Sequence, residues 1–572
     1  MKKLIAMFLC LAMMLSMFVA CNGNGGNNTE DPTETQGSKK PNQETEKPAD
    51  PLLVEHLADY QIIYPEMDVS TEVSGAIREL RNAIKTKFGV TLDMKSDFIN
   101  QKNPIEAREI LIGKTNRSET ATAYAKAPRV DDYAVQIVDE KLVVIASTDE
   151  MLVLVLQSVI NIINDLGEDD TAFFLPEHQF LSADEYAIEA VTINESDLSG
   201  YTIVSAQNDS TLELSYMLRD MICEKYQYVL GVTTEQLAAN TEKAIVVGNT
   251  NNPALPQQVT AIEDDEYYIG VIDGKLYVYA TEIEVLYQAI NKVVSQTADA
   301  ETNRVSLDLT DVVEKPKSTA LTIMSFNLWV SNVNDDRASH VVERINLIKP
   351  DTLGVQEASS NWINRLKSAL SAEYGYEGIG RDKNGGGEHS GIFYRKDTLK
   401  VIESGTKWMS KTPDVVSKDW GSTCNRIFTY VLFERISDGA RFVHVNAHTE
   451  HTSDTICLNQ LKVLVDFVQK NYSDVPVVLT GDLNAIESNA SIQHVLSNGF
   501  ENGAKLAFQA SKSNTFADRI IDFCLTSEDD FIVYEYGVDT YKYVGDKDYQ
   551  KENKDPSDHC PIYITLDIKG SN

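Results

Sequence analysis

At 572 residues the chain is longer than one hydrophobic core fills, so several domains are expected. Its 86 acidic and 51 basic side chains leave a formal net charge of -35. Such a surface favours solubility and argues against a broad electrostatic grip on nucleic acid or anionic lipid.

Lys2 and Lys3 precede an apolar run from Leu4 to Ala20, and Cys21 follows with NGNGGNN behind it. The pattern is that of a secretory signal, and the small residue before the cysteine makes it resemble a bacterial lipoprotein signal. Residues 1–20 would be cleaved, Cys21 would carry lipid, and the protein would sit at the cell envelope outside the cytoplasm. No later apolar run is long enough to span a bilayer. Residues 21–51 hold almost nothing apolar and cannot repay the entropy of ordering, so a flexible tether is expected. The remaining cysteines form no CxxC pair and no even set, which excludes a zinc knuckle and argues against a disulfide framework.

Two stretches then repeat one pattern. Residues 52–186 contain YQIIYPEMDVS, EILIGKTNR and DEKLVVIAS; residues 195–313 contain YTIVSAQND, AIVVGNTNN and IDGKLYVYA in the same order and spacing. An internal duplication follows, each copy a small α+β domain. Ile77, Leu80, Ile84 and Phe88 recur at helical spacing and should face a sheet. The units resemble the non-catalytic domain that precedes the catalytic barrel of family 20 hexosaminidases and α-glucuronidases, which implies an accessory role. Tyr267, Tyr268, Tyr277 and Tyr279 form either a sugar-stacking platform or, as expected of alternate hairpin tyrosines, sheet packing. Asp131, Asp132, Asp264 and Asp265 read as solvated turn residues. The polar connection VVEKPKSTA closes the second copy, and a last domain over 317–570 should fold alone.

That last domain carries the chemistry. In LTIMSFNLW the alternation of a strand puts Ile323, Ser325, Asn327 and Trp329 on one face. TLGVQEA ends an apolar strand in Glu357, a carboxylate that is costly to bury without a cation or hydrogen bonds. VVLTGDLNA places Asp482 and Asn484 two apart, after a glycine that permits close backbone approach. Asp522 lies inside the apolar run RIIDFCL and needs a dedicated partner; His559, in SDHCPI, is a suitable one.

The ordered set MSFN, VQE, NAH, GDLN, IDF and SDH resembles the endonuclease/exonuclease/phosphatase superfamily, the deoxyribonuclease I-like fold, over residues 320–568. The stretch from Gly378 to Val415 is similar to a bacterial subgroup of it. The resemblance implies an α/β chain whose C-terminal part is a four-layer α/β sandwich with two mixed sheets, preceded by the two small α+β repeat domains. It also implies hydrolysis of a phosphoester with Mg²⁺, or with Mn²⁺ in its place. By the same resemblance Glu357 is the main metal ligand, with Asn327 and Asp558 beside it. Asp482 with Asn484 would orient and deprotonate water, His559 held by Asp522 would contact the phosphate, and His448 would stabilise the transition state or protonate the leaving oxygen. Glu450 and His451, unusual after that histidine, are either substrate contacts or surface residues. Arg426 and Arg381 are open to the same two readings as phosphate contacts. Gly385–Gly387 implies a mobile loop over the site.

The expected function is a surface-anchored, divalent-metal-dependent phosphoesterase acting on an extracellular phosphodiester or phosphomonoester, the substrate open to being glycan-linked. Two alternatives stand beside it: a secreted nonspecific nuclease, and a non-catalytic glycan- or surface-binding lipoprotein. The last domain has no cluster of Lys and Arg, so strong nucleic-acid binding is not expected, and membrane contact would run through Cys21 alone.

Overall fold

The computed structural model describes residues 49–540 and 556–570, apart from 67–68, 100–103, 125, 128, 168–169, 183–185, 237–241, 252 and 332. The signal, Cys21 and nearly all of the tether lie outside the described residues. No helix among the described residues is long and apolar enough to cross a membrane.

The first unit builds a six-stranded sheet in the order Asp93–Ser96, Gln61–Tyr64, Glu109–Ile112, Lys141–Ala146, Tyr133–Val138, Phe180–Ser182. The second repeats that order with Gly231–Thr234, Thr202–Ser205, Ala244–Val247, Lys275–Ala280, Tyr267–Ile272 and Val312–Glu314. In both, the first three pairings are parallel and the last two antiparallel. Helix Thr71–Phe88 starts where the Ser70 side chain accepts from the Val73 amide and stops at Gly89, whose φ is +73°. It buries Ile77, Leu80 and Ile84, the stripe its spacing specifies, while Phe88 is half-buried.

Several expectations for these units change. The second unit begins by Ala190 rather than Glu195, because Ala190–Ile193 pairs with Arg304–Ser306 and buries Val191 and Ile193 in that core. Tyr267, Tyr268, Tyr277 and Tyr279 are all buried, so they offer no face to a sugar. Asp132 is buried as well, accepting from the Arg129 amide at 2.9 Å and from Tyr186 Oη at 3.1 Å, whereas Asp264 and Asp265 are exposed. Arg129 joins the two units: its guanidinium lies over Tyr186 and Tyr228 and donates to the Tyr226, Ile188 and Glu189 carbonyls.

From Leu321 the chain forms four layers. A seven-stranded sheet runs Tyr374–Glu377, His389–Arg395, Thr352–Ala358, Leu321–Asn327, Ile562–Ile568, Phe531–Val538, Gln509–Ala510. A six-stranded sheet runs Leu399–Trp408, Ile427–Arg435, Arg441–His448, Val477–Asp482, Asp522–Ser527, Phe500–Asn502. Both mix parallel and antiparallel neighbours. Helices Asp335–Ile348 and Ser360–Leu370 cover the first sheet, packing Val341, Ile345 and Trp362 on Met324, Phe326 and Leu353. Helices Asp454–Tyr472 and Ala490–Leu496 cover the second with Leu461, Leu464 and Ile492. Between the sheets Ile323, Val431, Phe433, Val478 and Ile564 interdigitate. Each such side chain contributes about 1.5–3 kcal/mol by leaving water.

The apolar sandwich turns polar toward one rim. His444 bridges Thr352 Oγ1 at 2.8 Å and Thr480 Oγ1 at 2.7 Å, and burial pushes its imidazole down to about 3, so it is neutral. Gln356 Nε2 donates to Ser325 Oγ and Asn446 Oδ1, tying the two sheets together. This satisfied network fixes the relative height of the strands just below the rim.

Candidate active site

Pairing register brings the site together. His448 lies opposite Asp482 on the parallel neighbour, and Asp482 lies opposite Asp522 on the next, antiparallel strand. The close approach needs Gly481, whose φ is +152° and whose position would set a Cβ 2.1 Å from the Ala447 carbonyl oxygen. On the facing sheet Asn327 ends its strand beside Gln356, and Glu357 follows with a φ of +54°. Trp329 and Asn484 also take positive φ, at +51° and +49°. Three non-glycine residues in this region around one rim are strain of the kind held at functional sites.

Asp482 is the hub. Its Oδ2 accepts from Asn327 Nδ2 at 2.9 Å and lies 3.7 Å from both His448 Nε2 and His559 Nε2; its Oδ1 accepts from the Asn484 amide at 2.9 Å. Burial and the charge of Asp522 raise its carboxyl to about 7, against the pull of His559. His559 Nδ1 is 2.9 Å from Asp522 Oδ2, and its ring lies 4.5 Å from that of Phe516. Burial opposes a charge on His559, yet Asp522 and then Asp482 carry it up to about 9. His448 is held well below its ordinary value by burial, with Arg426 and Arg381 adding to it. One histidine is therefore an imidazolium and the other a neutral ring at pH 7.

The expected residues divide as follows. Asn327, Glu357, His448, Asp482, Asn484, Asp522, Asp558 and His559 gather at this rim. Asn327 presents its amide nitrogen to Glu357 Oε1 and Asp482, because its Oδ1 accepts from the Trp329 amide at 3.0 Å. Its oxygen is thus engaged, unlike that of a ready metal ligand. Asn484 Nδ2 donates to the Thr449 carbonyl, so this residue holds the turn and, through its amide, Asp482. Trp329 lies beyond the strand end rather than continuing its face, and stacks on the guanidinium of Arg337.

Glu450 is a correction. It is 1% exposed, and Ser422 Oγ, Thr423 Oγ1, Thr452 Oγ1 and the amides of Thr423 and His451 all donate to its carboxylate. Burial opposes its charge, but these bonds bring it down to about 2. It anchors loops and has no lone pair left for substrate. Its neighbour His451 is exposed and meets Arg426 Nη2 at 3.2 Å. The glycine turn Lys383–Gly385 is closed at its neck by Arg381, which grips Glu388 through two bonds of 2.7 and 2.8 Å.

Residues that sequence patterns did not single out complete the rim. Arg337, buried and stacked on Trp329 and Trp362, donates to the carbonyls of Trp329 and Pro556, fixing the turns that carry Asn327 and Asp558. Ser557 Oγ donates to the Asn327 carbonyl at 2.6 Å. Glu388 and His389 line a cleft with Arg381, Arg426 and His448. The stripe of an amphipathic helix concealed Arg337; only its place ahead of an apolar residue, facing inward, could have marked it.

Asp482, Asp522 and His559 lie close enough together to hold a metal ion. Their atoms are, however, already bound to one another by the Asp522–His559 bond. Glu357 and Asp558 form the better oxygen donor set. No lysine or arginine among the described residues pairs with either, and partial burial with the charge of Glu357 raises the Asp558 carboxyl against His559. Two carboxylates with a shortage of local cations are what a hard divalent ion requires.

Residues 324–559 match the Endonuclease/Exonuclease/phosphatase family. Among solved structures, an endonuclease/exonuclease/phosphatase from Bacteroides vulgatus is 25% identical, with a TM-score of 0.41, over 44% of this chain and 100% of its own. A mannosyl-6-phosphatase from Bacteroides thetaiotaomicron is 29% identical, with a TM-score of 0.39, over 43% and 99%. The human Nocturnin catalytic domain is 17% identical, with a TM-score of 0.36, over 44% and 95%. No curated protein matches the chain.

Proposed function

With residues 324–559 forming an endonuclease/exonuclease/phosphatase domain, we propose that this protein is a divalent-metal-dependent phosphoesterase, lipid-anchored at the cell envelope through Cys21 and acting on an extracellular phosphoester. The observation that carries the reading is Asp482 Oδ2, 3.7 Å from each of two histidine Nε2 atoms whose protonation states are opposite.

Glu357 and Asp558 would hold the ion, Mg²⁺ by preference and Mn²⁺ as a substitute. Bound there, it supplies charge stabilisation to the phosphoryl oxygens and lowers the pKa of water. Asp482, kept in place by Asn327 and the Asn484 amide, accepts the proton of the attacking water. His559, kept charged and oriented by Asp522, donates to a non-bridging oxygen. His448, a neutral ring, donates to the phosphoryl group or its leaving oxygen. Each positioned acid or base adds about 10² to 10⁴ in rate.

A nuclease would draw affinity from a basic face, and the excess of acidic residues in this domain disfavours one. The full-length protein should hydrolyse a generic aryl phosphoester, lose that activity on chelation and regain it with Mg²⁺ or Mn²⁺. Asp482→Asn and His559→Ala should each lower kcat by at least about a hundredfold with the fold retained. Activity that survives thorough chelation would remove the metal from the mechanism.

A further inference from the structure

We infer that the cleft beside His448 recognises the dianionic phosphoryl group of a phosphomonoester, with Arg426 as its principal contact and the Arg381–Glu388 pair as the device that leaves Arg426 free to act. The inference rests on the phosphoesterase reading and narrows its substrate class.

The cleft encloses about 170 Å³ and is lined by Arg381, Glu388, His389, Ser390, Arg426 and His448. Arg426 is 5% exposed, and its Nε and Nη1 atoms have no hydrogen-bond partner among the described residues. Leaving charged donors buried and unpaired costs more than the 1–3 kcal/mol typical of a neutral group, so an anionic partner is called for. Neither nearby carboxylate supplies it. Glu388 is committed to Arg381 through both oxygens, and Glu450 is saturated by hydroxyls and amides. His389 adds a further donor: its Nδ1 meets Tyr376 Oη at 2.8 Å, its Nε2 is buried without a partner, and burial brings its ring down to about 4. With Tyr376 donating to Nδ1, Nε2 carries the proton and points no bond elsewhere. Arg381 and Arg426 against the single carboxylate of Glu388 leave the cleft one positive charge in excess.

The cleft is thus a group of fixed donors next to His448, and the acidic rim of Glu357, Asp482 and Asp558 lies on the other side of the same histidine. A monoester offers three non-bridging oxygens and two negative charges, enough to meet an ion at the rim and Arg426 in the cleft at once. A diester offers two such oxygens and one charge, and its second ester arm has no room in a cleft of this size. The turn between Arg381 and Glu388 fixes that size: a Cβ at Gly380 would stand 2.2 Å from the Gly386 carbonyl oxygen, so the loop crosses itself at contact distance. In the reaction the oxygen of water bonds to phosphorus, the ester P–O bond breaks, and its electron pair leaves with the alcohol oxygen, which takes a proton; inorganic phosphate and the alcohol result.

The test uses the full-length protein with Mg²⁺. kcat/KM is measured on para-nitrophenyl phosphate and on bis(para-nitrophenyl) phosphate, and the affinity for inorganic phosphate is measured by calorimetry. The natural sequence should favour the monoester. Arg426→Met should lower the monoester-to-diester ratio at least about thirtyfold and weaken inorganic phosphate binding in proportion, with Arg426→Lys recovering part of both. Equal losses on the two esters, or phosphate affinity untouched by Arg426→Met in a protein of native circular dichroism, would overturn the inference. If neither ester is hydrolysed, the phosphoesterase reading fails; phosphate binding lost on Arg426→Met would then still support the cleft as an anion site.

Discussion

Asp522 touches no substrate in the proposed reaction, yet it decides the charge of a residue that does. Through its bond to Nδ1 it holds His559 up at about 9 and, by its own charge, raises Asp482 toward 7. Because the folded pKa of His559 lies above its ordinary 6.5, this pair contributes stability that is fully present below about pH 6.5 and is lost as pH rises through about 9. Asp522→Asn removes both influences. The alkaline limb of the kcat/KM profile should therefore move to lower pH as His559 loses its proton earlier, and the acid limb should move down as Asp482 ionises more readily. A profile measured from pH 5 to 10 that keeps both limbs in place would show that Asp522 acts only as packing. Glu450 teaches the opposite lesson at the same scale, since a carboxylate beside an active-site histidine can be wholly occupied with holding loops.

At the scale of elements, the site depends on three neighbouring strands keeping one register. His448, Asp482 and Asp522 form a row only because Arg441–His448, Val477–Asp482 and Asp522–Ser527 pair level with one another. The first two meet most closely at Gly481, where no side chain fits against the Ala447 carbonyl. Gly481→Ala should destabilise the protein by at least about 2 kcal/mol, from the positive φ and the clash together. Activity should fall further than the lost stability accounts for, because strand separation moves Asp482 from both histidines. Urea denaturation and turnover measured on one preparation check this; an unchanged midpoint would mean the strand can shift without cost.

For the whole molecule, the polar connection before Leu321 does not make the last domain independent. Tyr287, on helix Ile283–Val294 of the second unit, packs edge-on against Tyr534 at 5.5 Å and lies 6.2 Å from Phe508, both in the last domain. Tyr534 is 2% exposed in the full chain. A chain beginning at Lys317 uncovers these rings and should unfold at a lower temperature and aggregate more readily than the same domain in the full chain, while turnover per folded molecule on a small ester is retained. Each aromatic contact is worth about 0.5–1.5 kcal/mol beyond its area. Equal unfolding temperatures would mean that the two parts are merely tethered.

What sequence alone determined follows from local periodicity and from order along the chain. The Ile77, Leu80 and Ile84 stripe specified a helix, the alternation in LTIMSFN specified a strand with Asn327 on the inner face, and six ordered motifs specified the two-sheet sandwich. These are short-range properties, set by the 3.6- and 2-residue repeats of the backbone. Only the tertiary structure decided the roles of Glu450, Arg337, His389 and Glu388. Each is a polar residue whose meaning lies in which donors and acceptors surround it, and those come from segments tens of residues away. The tyrosines at 267, 268, 277 and 279 make the same point, since their pattern fits a platform or a core equally well and the packing of the second unit buries them. A sequence records which side chains are available; their partners, and hence their charges and free lone pairs, exist only once the sheets have closed on each other.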